Sequence, residues 1–389
     1  MPTATASGPD TGTPSKNGKV VMVRPFRAGV QEVDDSPYDQ TFTLKSSTQN
    51  VTPQYDIPST GFLNAVTILV EATSTTNAAT VAFAADGPWN VFDQIQFKDV
   101  GNQPVIGPIT GYDLYLINKF GGYLFQDDPK ASPVYSAVSG SGASAGSFSF
   151  VLRLPIQIVP RDALGSLGNK SASTPFKVVA SLSALSTIYS TAPTNAPTVR
   201  IRMAPESYWE PQSTDLNGNR LAENPPGKNT TQFWSVTEYT VASGAFTQQL
   251  TSSVGFPIRN LFFCLRDSTD SRSQGESDFP DPFNLKLEAN VITDRMKKVW
   301  QDQVAKWYGY SASIGDNVNA KDNGFYPLPY CRDFTGKPGW ETRRGYLPTS
   351  DGMRFEAKGT ITGSGVHKLL VYTNYIAPGP GVTLASITA

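Results

Sequence analysis

Two pairs of residues recur along this chain at nearly one interval, and that interval frames any fold it can adopt. Gly61-Phe62 returns as Gly255-Phe256, 255 − 61 = 194 residues later, and Gly122-Tyr123 returns as Gly309-Tyr310, 309 − 122 = 187 residues later. The order of features between these landmarks repeats as well: a Gly-Phe opening, a strand pair around a polar loop, a helix closing on Gly-Tyr, then later strands. A near-constant offset with loops of differing length describes two copies of one module. The length of 389 residues agrees. One hydrophobic core rarely serves so many residues, whereas two domains of about 200 residues or fewer do.

Each module reads as β. Only 17% of residues are charged, while Gly and Pro number 33 and 30, which suits strands joined by many turns. The clearest strand places Phe148, Phe150, Leu152, Leu154, Ile156 and Ile158 at alternate positions, one face of a sheet against a core. Pro155 within it suggests a sheet edge or a bulge. Further strands are expected over 61–72, 92–98, 176–181 and 199–203, then over 233–241, 261–266, 283–287, 354–358 and 368–376. Helical spacing breaks this pattern once per half. Tyr112, Tyr115-Leu116 and Phe120 form one helix face before Gly121-Gly122, and residues 294–308 carry Met296, Val299-Trp300, Val304 and Trp307-Tyr308. One helix per half is too few for an α/β fold. About eight short strands per module fit two tandem jelly rolls, each with one short helix. The division expected is an arm at 1–37, a first jelly roll at 38–203, a Pro-rich connection at 204–230, a second jelly roll at 231–377 and a tail at 378–389.

Composition also removes function classes. A net charge of −1 argues against electrostatic wrapping of nucleic acid. No run of about 18 apolar residues is present, and residues 1–19 lack the apolar core of a signal peptide, so synthesis in the cytosol is expected. Cys264 and Cys331 are too few for a disulfide framework, and Cys264 in the apolar run 261–265 reads as a buried free thiol. His367 is the only histidine, so a His-rich metal site is excluded and a surface position is expected for it. No catalytic, cofactor or metal site is assigned. The acid pairs Asp34-Asp35 and Asp278 with Asp281 read as solvated turns, calcium being the alternative. Gly140-Ser141-Gly142 precedes a strand rather than a helix, which makes it a flexible loop and not a phosphate cradle.

The order Gly61-Phe62, Gly87-Pro88-Trp89-Asn90-Val91-Phe92 and Gly111-Tyr112 with its helix resembles the first jelly roll of tectivirus-type major capsid proteins. The second helix, the stretch from Tyr326 to Asp333 and the final strand from Lys368 to Tyr375 resemble the second jelly roll of the same lineage, which includes adenovirus hexon. The resemblance covers residues 38–377 and rests on order and spacing. It implies a homotrimer with a pseudo-hexagonal footprint that tiles the icosahedral shell of a tailless bacteriophage around an internal membrane and double-stranded DNA. It further implies a place in the virion and contacts with neighbouring trimers, vertex (penton) proteins and minor capsid proteins. Outward loops are expected at 136–146 and 267–282. The Pro/Gly/Thr-rich start departs from the helical arm of the best-known relatives.

Two groups of residues are candidates for contact. Over residues 1–30 of the arm, Lys16, Lys19, Arg24 and Arg27 outnumber the single acid Asp10, and the segment is either an unfolded tail or one that orders on a neighbouring subunit or an anionic lipid surface. Arg332, Trp340, Arg343 and Arg344 combine two side-chain types common at interfaces, with a solvated loop as the alternative. The aromatic helix with Trp300 and Trp307 is expected to close a barrel end as core. Other classes remain: a glycan or glycopeptide hydrolase using two carboxylates between the modules, or a carbohydrate-binding protein exposing Trp209, Trp234 and Trp340.

Overall fold

The computed structural model describes residues 24–26, 30–34, 38–47, 50–123, 128–160, 163–211, 214, 216, 221–223, 225, 229–250, 255–308, 324–331, 345–350 and 352–379. In the first half, eight strands of six or more residues form: β1 (Tyr38–Thr43), β2 (Phe62–Thr73), β3 (Asn77–Phe83), β4 (Phe92–Lys98), β5 (Pro104–Ile109), β6 (Phe148–Pro155), β7 (Lys177–Leu182) and β8 (Thr198–Tyr208). Helix α1 (Gly111–Phe120) follows β5. One sheet runs β1-β8-β2-β6 and the other β5-β4-β7. Alternation puts Phe148, Phe150, Leu152 and Leu154 of β6 into the core, in register with Ala72, Val70, Ile68 and Val66 of β2. Pro155 is the last residue of β6, whose other side is paired only at Phe148 and Ser149, so the proline sits at a sheet edge as its missing N–H requires. Trp89 is fully buried and stacks on Tyr115 of α1 at 4.5 Å and against Phe150 of β6 at 4.7 Å.

The second half contributes β9 (Thr231–Gln249), β10 (Ile258–Arg266), β11 (Phe283–Leu287), β12 (Asn290–Arg295), β13 (Phe325–Pro329) and β14 (Phe355–Ala377), with helices α2 (Arg272–Asp278) and α3 (Lys297–Tyr308). The long strands β9 and β14 pair along almost their whole length and break register between Ala242 and Gly244, where β14 bulges over residues 362–365. β14 then shares β10 on one stretch and β11 on another, so the two packed layers of this half diverge from one strand pair. A parallel bridge between Ile106 of β5 and Trp234 of β9 joins the halves into one 11-stranded sheet.

Several expectations change. Residues 267–282 are not an outward loop: α2 forms there and lies on β10, because Gly275 brings the helix against the backbone of Leu265, where a Cβ would stand 1.9 Å from the carbonyl oxygen. His367 is not at the surface. It is 0% exposed on β14, opposite Val241, and its Nε2 lies 2.9 Å from Asp278 Oδ2 at the end of α2. Asp278 is therefore a buried partner of His367 and not a solvated turn. The Gly140–Gly142 segment is a short strand on β3. β8 continues through Tyr208, five residues into the stretch read as connection, with Pro205 opposite Val66. The second helix starts at Lys297 because residues 290–295 complete a hairpin with β11. Trp300, Val304 and Tyr308 do enter the core, with the Trp300 indole donating to Pro327 O at 2.8 Å, while Met296 and Val299 stay outside it.

Replacing Gly275 with Ala forces α2 off β10. We expect a loss of about 1–3 kcal/mol, the usual cost of overpacking, read from the urea midpoint at unchanged slope. An unchanged midpoint would show that α2 does not rest on Leu265.

Candidate functional site: the seam between the two halves

Helix α1 begins at Thr110, whose hydroxyl accepts from Asp113 N at 3.1 Å while Asp113 Oδ2 accepts from Thr110 N at 2.9 Å. This reciprocal cap satisfies two donors that the helix start leaves unpaired. One apolar helix face was expected over Tyr112, Tyr115-Leu116 and Phe120; instead nearly every residue of α1 is buried. A helix buried on all sides needs a second layer. The second half supplies it: Phe325 and Tyr308 pack on Phe120 at 5.0 and 5.2 Å, and Tyr372 of β14 donates to Asp113 Oδ1 at 2.6 Å.

Beyond the end of α1 the seam becomes polar. Arg259, 0% exposed, donates to Gly121 O at 2.9 Å and stacks on Tyr123 at 4.9 Å. The Tyr123 hydroxyl donates to Gln232 Oε1 at 2.7 Å and accepts from the Trp234 indole at 2.6 Å. Gln232 in turn donates to the carbonyls of Pro155, Ile156 and Gln157 at 2.9–3.1 Å, and Asn374 donates to Gln232 Oε1 at 3.0 Å. Arg259, Gln232 and Trp234 each find a partner from the first half, while Asn374 holds Gln232 from within the second, so the buried network favours one docking. Trp234 is thus interior, not an exposed binding aromatic; Trp209 is 53% exposed and Trp340 lies outside the described residues.

At the start of α2 a compact ion cluster crosses the seam. Asp86 of the first half accepts from Arg266 Nη1 at 2.9 Å and Arg272 Nε at 2.7 Å, and Arg272 covers the ring of Tyr112 at 4.6 Å. Burial opposes the charge on Asp86, but the two guanidinium groups outweigh it and hold the carboxyl below the ordinary aspartate range. A carboxyl held in its charged form cannot act as a general acid near neutrality.

Three carboxylates near the seam are each engaged by neighbouring groups. Asp86 answers two arginines and Asp113 caps α1 and receives Tyr372. Glu276, whose pKa burial raises, accepts from Tyr326, Gln301 and Gly324 at 2.6, 2.9 and 3.1 Å and so ties α2 to α3 and β13. Among the described residues, no group of three or more His, Cys, Asp or Glu side chains is placed to hold a metal ion. Cys264 is buried with its thiol pushed up to about 11, chiefly by burial.

Of the residues singled out for contact, Arg24 is described: it is exposed, and its backbone bridges the connection through Arg24 N to Leu221 O at 3.0 Å and Glu223 N to Arg24 O at 2.9 Å. Beside it Phe26 is buried between Phe62 and Tyr208, with ring centroids at 5.3 and 5.6 Å. Lys16, Lys19, Arg27, Arg332, Trp340, Arg343 and Arg344 lie outside the described residues. Sequence reasoning missed the seam residues, yet one signal was present. Arg259 and Arg266 interrupt the apolar run of β10, and Asn374 interrupts that of β14, at positions that must be buried.

No family model matches the chain, and no curated protein matches it in sequence. Solved structures do match. The STIV MCP aligns at TM-score 0.57 and 13% identity over 89% of this chain and 96% of its own. The PBCV-1 virus capsid aligns at 0.54 and 11% over 89% and 94%. The major capsid protein P2 from bacteriophage PM2 aligns at 0.50 and 9% over 90% and 100%. Both halves are covered in each case, so the chain has the double jelly-roll fold of viral major capsid proteins.

Asp86→Asn removes the carboxylate that Arg266 and Arg272 share at the seam, leaving Arg266 only the more distant Asp270 at 3.4 Å, and a loss of about 3–5 kcal/mol is expected at pH 7. Because the folded pKa is depressed, the stability from Asp86 is present above its unfolded value of about 3.9 and fades as pH falls through the folded one. The gap in urea midpoint between wild type and variant should therefore narrow below about pH 4. A gap that stays constant with pH would remove the ion cluster as its cause.

Proposed function

We propose that this chain is a major capsid protein, a structural subunit whose trimers form pseudo-hexameric capsomers and tile an icosahedral shell around an internal membrane and double-stranded DNA. The observation that carries this reading is the seam. Two jelly rolls share an interior helix, a buried hydrogen-bond network and a buried ion cluster, which makes one stiff block from two barrels. A stiff block with two similar halves suits a lattice in which three chains imitate a hexagon. The same seam leaves the hydrolase reading without a free pair of carboxylates. The fold match to capsid proteins supports the same conclusion.

The finer assignments belong to the same proposal. The first jelly roll spans 38–203, with its last strand running on to Tyr208, and the second spans 231–377; the connection 204–230 lies between them. Partners are two further copies in the trimer, neighbouring trimers, and vertex and minor capsid proteins. The arm meets the internal membrane through Lys16, Lys19, Arg24 and Arg27, working from the point where Phe26 is seated. The virion shell is the site of action, and the protein acts by assembly rather than catalysis.

Sedimentation of the purified chain tests the reading. We expect a species near three times 42.0 kDa that persists on dilution, as an obligate interface above roughly 2,000 Å² would give. A monomer at micromolar concentration would overturn it. Removing residues 1–23 and replacing Arg24 and Arg27 with Gln, which keeps Phe26 in place, should leave the trimer intact and abolish flotation with anionic vesicles. Undiminished flotation would exclude the arm as the membrane contact.

A further inference from the structure

Arg295 closes β12, and its guanidinium lies over the rings of Trp300 at 5.5 Å and Trp307 at 4.9 Å. Its Nη1 is buried and has no hydrogen-bond partner, and among the described residues no carboxylate pairs with it. Arg153, Arg266 and Arg272, by contrast, each meet a carboxylate within 3 Å. An unpaired, partly desolvated guanidinium is costly, and the desolvation holds Arg295 below the ordinary arginine pKa. The two indoles offset part of that cost but supply no anion.

The surroundings of Arg295 share its incompleteness. β12 pairs with β11 on one side and lies at the end of the 11-stranded sheet. Val291, Met296 and Val299 are 51%, 60% and 42% exposed, so one nine-residue stretch holds three of the nine exposed large hydrophobic side chains among the described residues. A strand edge unpaired among the described residues, apolar side chains and an Arg set on Trp are the features of an interface core, not of a solvated rim. The other end of the same sheet belongs to the first half. There the short strands Asn50–Val51 and Tyr55–Asp56 line β7, with Val51 79% exposed and the Asp56 carboxylate at the surface. Among the described residues, one sheet thus ends in an edge with exposed apolar side chains and an unpaired cation and, in the opposite half, in an edge that exposes Val51 and the acid Asp56.

We infer that the β12 edge around Arg295 is a self-association surface that takes the first half of a second copy of this chain, with a carboxylate of that copy seated on Arg295. The contact is heterologous, one half against the other half of the next copy, and a heterologous contact closes into a ring when its rotation allows. This inference rests on the shell-subunit reading and names the surface by which its copies meet.

Sedimentation across a dilution series, on the full chain, tests it with Arg295→Met and, separately, Val299→Asp. Val299 is 42% exposed, so the second substitution leaves the fold intact, which melting and near-ultraviolet circular dichroism verify. We expect wild type to remain trimeric while each variant dissociates at concentrations at least about tenfold higher, the loss of one interface anchor. Folded variants that hold together like wild type would overturn the contact while leaving the shell reading in place. Wild type that sediments as a monomer would overturn both. A lowered melting temperature for both variants with unchanged assembly would show that another part of the same chain covers this edge, and would also overturn the contact.

Discussion

The Asp86 carboxylate belongs to the first jelly roll and both of its guanidinium partners to the second. That division of charge makes separation of the halves expensive: pulling them apart would strip Asp86 of both arginines and take from Arg266 and Arg272 the carboxylate they share. The cluster does not act alone. Arg272 begins α2 and covers Tyr112 of α1, while Tyr372 of β14 bonds Asp113 of the same helix. The helix that closes the first barrel is therefore also a wall of the second, and neither barrel has a complete core without the other.

α2 is the hinge pin of this arrangement. Its first residue reaches across the seam to Asp86, its last is paired with His367 on β14, and Glu276 between them binds β13 and α3. A segment of seven residues thus ties three elements of the second half to the first. This explains why so polar a stretch is buried. Each of its charged or amide groups has a partner, and the missing side chain at Gly275 lets the helix lie close to β10. In the shell we propose, such a block transmits lateral forces without shear between its barrels.

The regular parts of the fold were legible in the sequence because their signal is local. The period-two run at 148–154 can face only one way in a sheet, and the spacing of Tyr112, Tyr115-Leu116 and Phe120 with Gly121 beyond marks a helix and its end. The contacts between elements were not legible. His367 read as a surface residue because no His or Cys stands near it in sequence, and its partner lies 89 residues away. Residues 267–282 read as a loop because polarity signals solvent unless the partners are known. The arginine and tryptophan expected to mark a contact were sought at 332–344, whereas the described set with an unpaired charge is Arg295 with Trp300 and Trp307.

By itself, then, the sequence determined the class, the duplication and the module: alternation, turn residues and a repeated order of landmarks act through neighbours a few residues apart. Tertiary structure alone decided how the modules are joined, which charges are buried and paired, and where an arginine is left waiting for an anion. At the seam those outcomes depend on groups brought together from positions 75 to 259 residues apart, and burial turns the sign of their contribution. A lone Arg, Asp or His in water costs nothing, but inside the seam its value depends wholly on the partner that the fold sets opposite it.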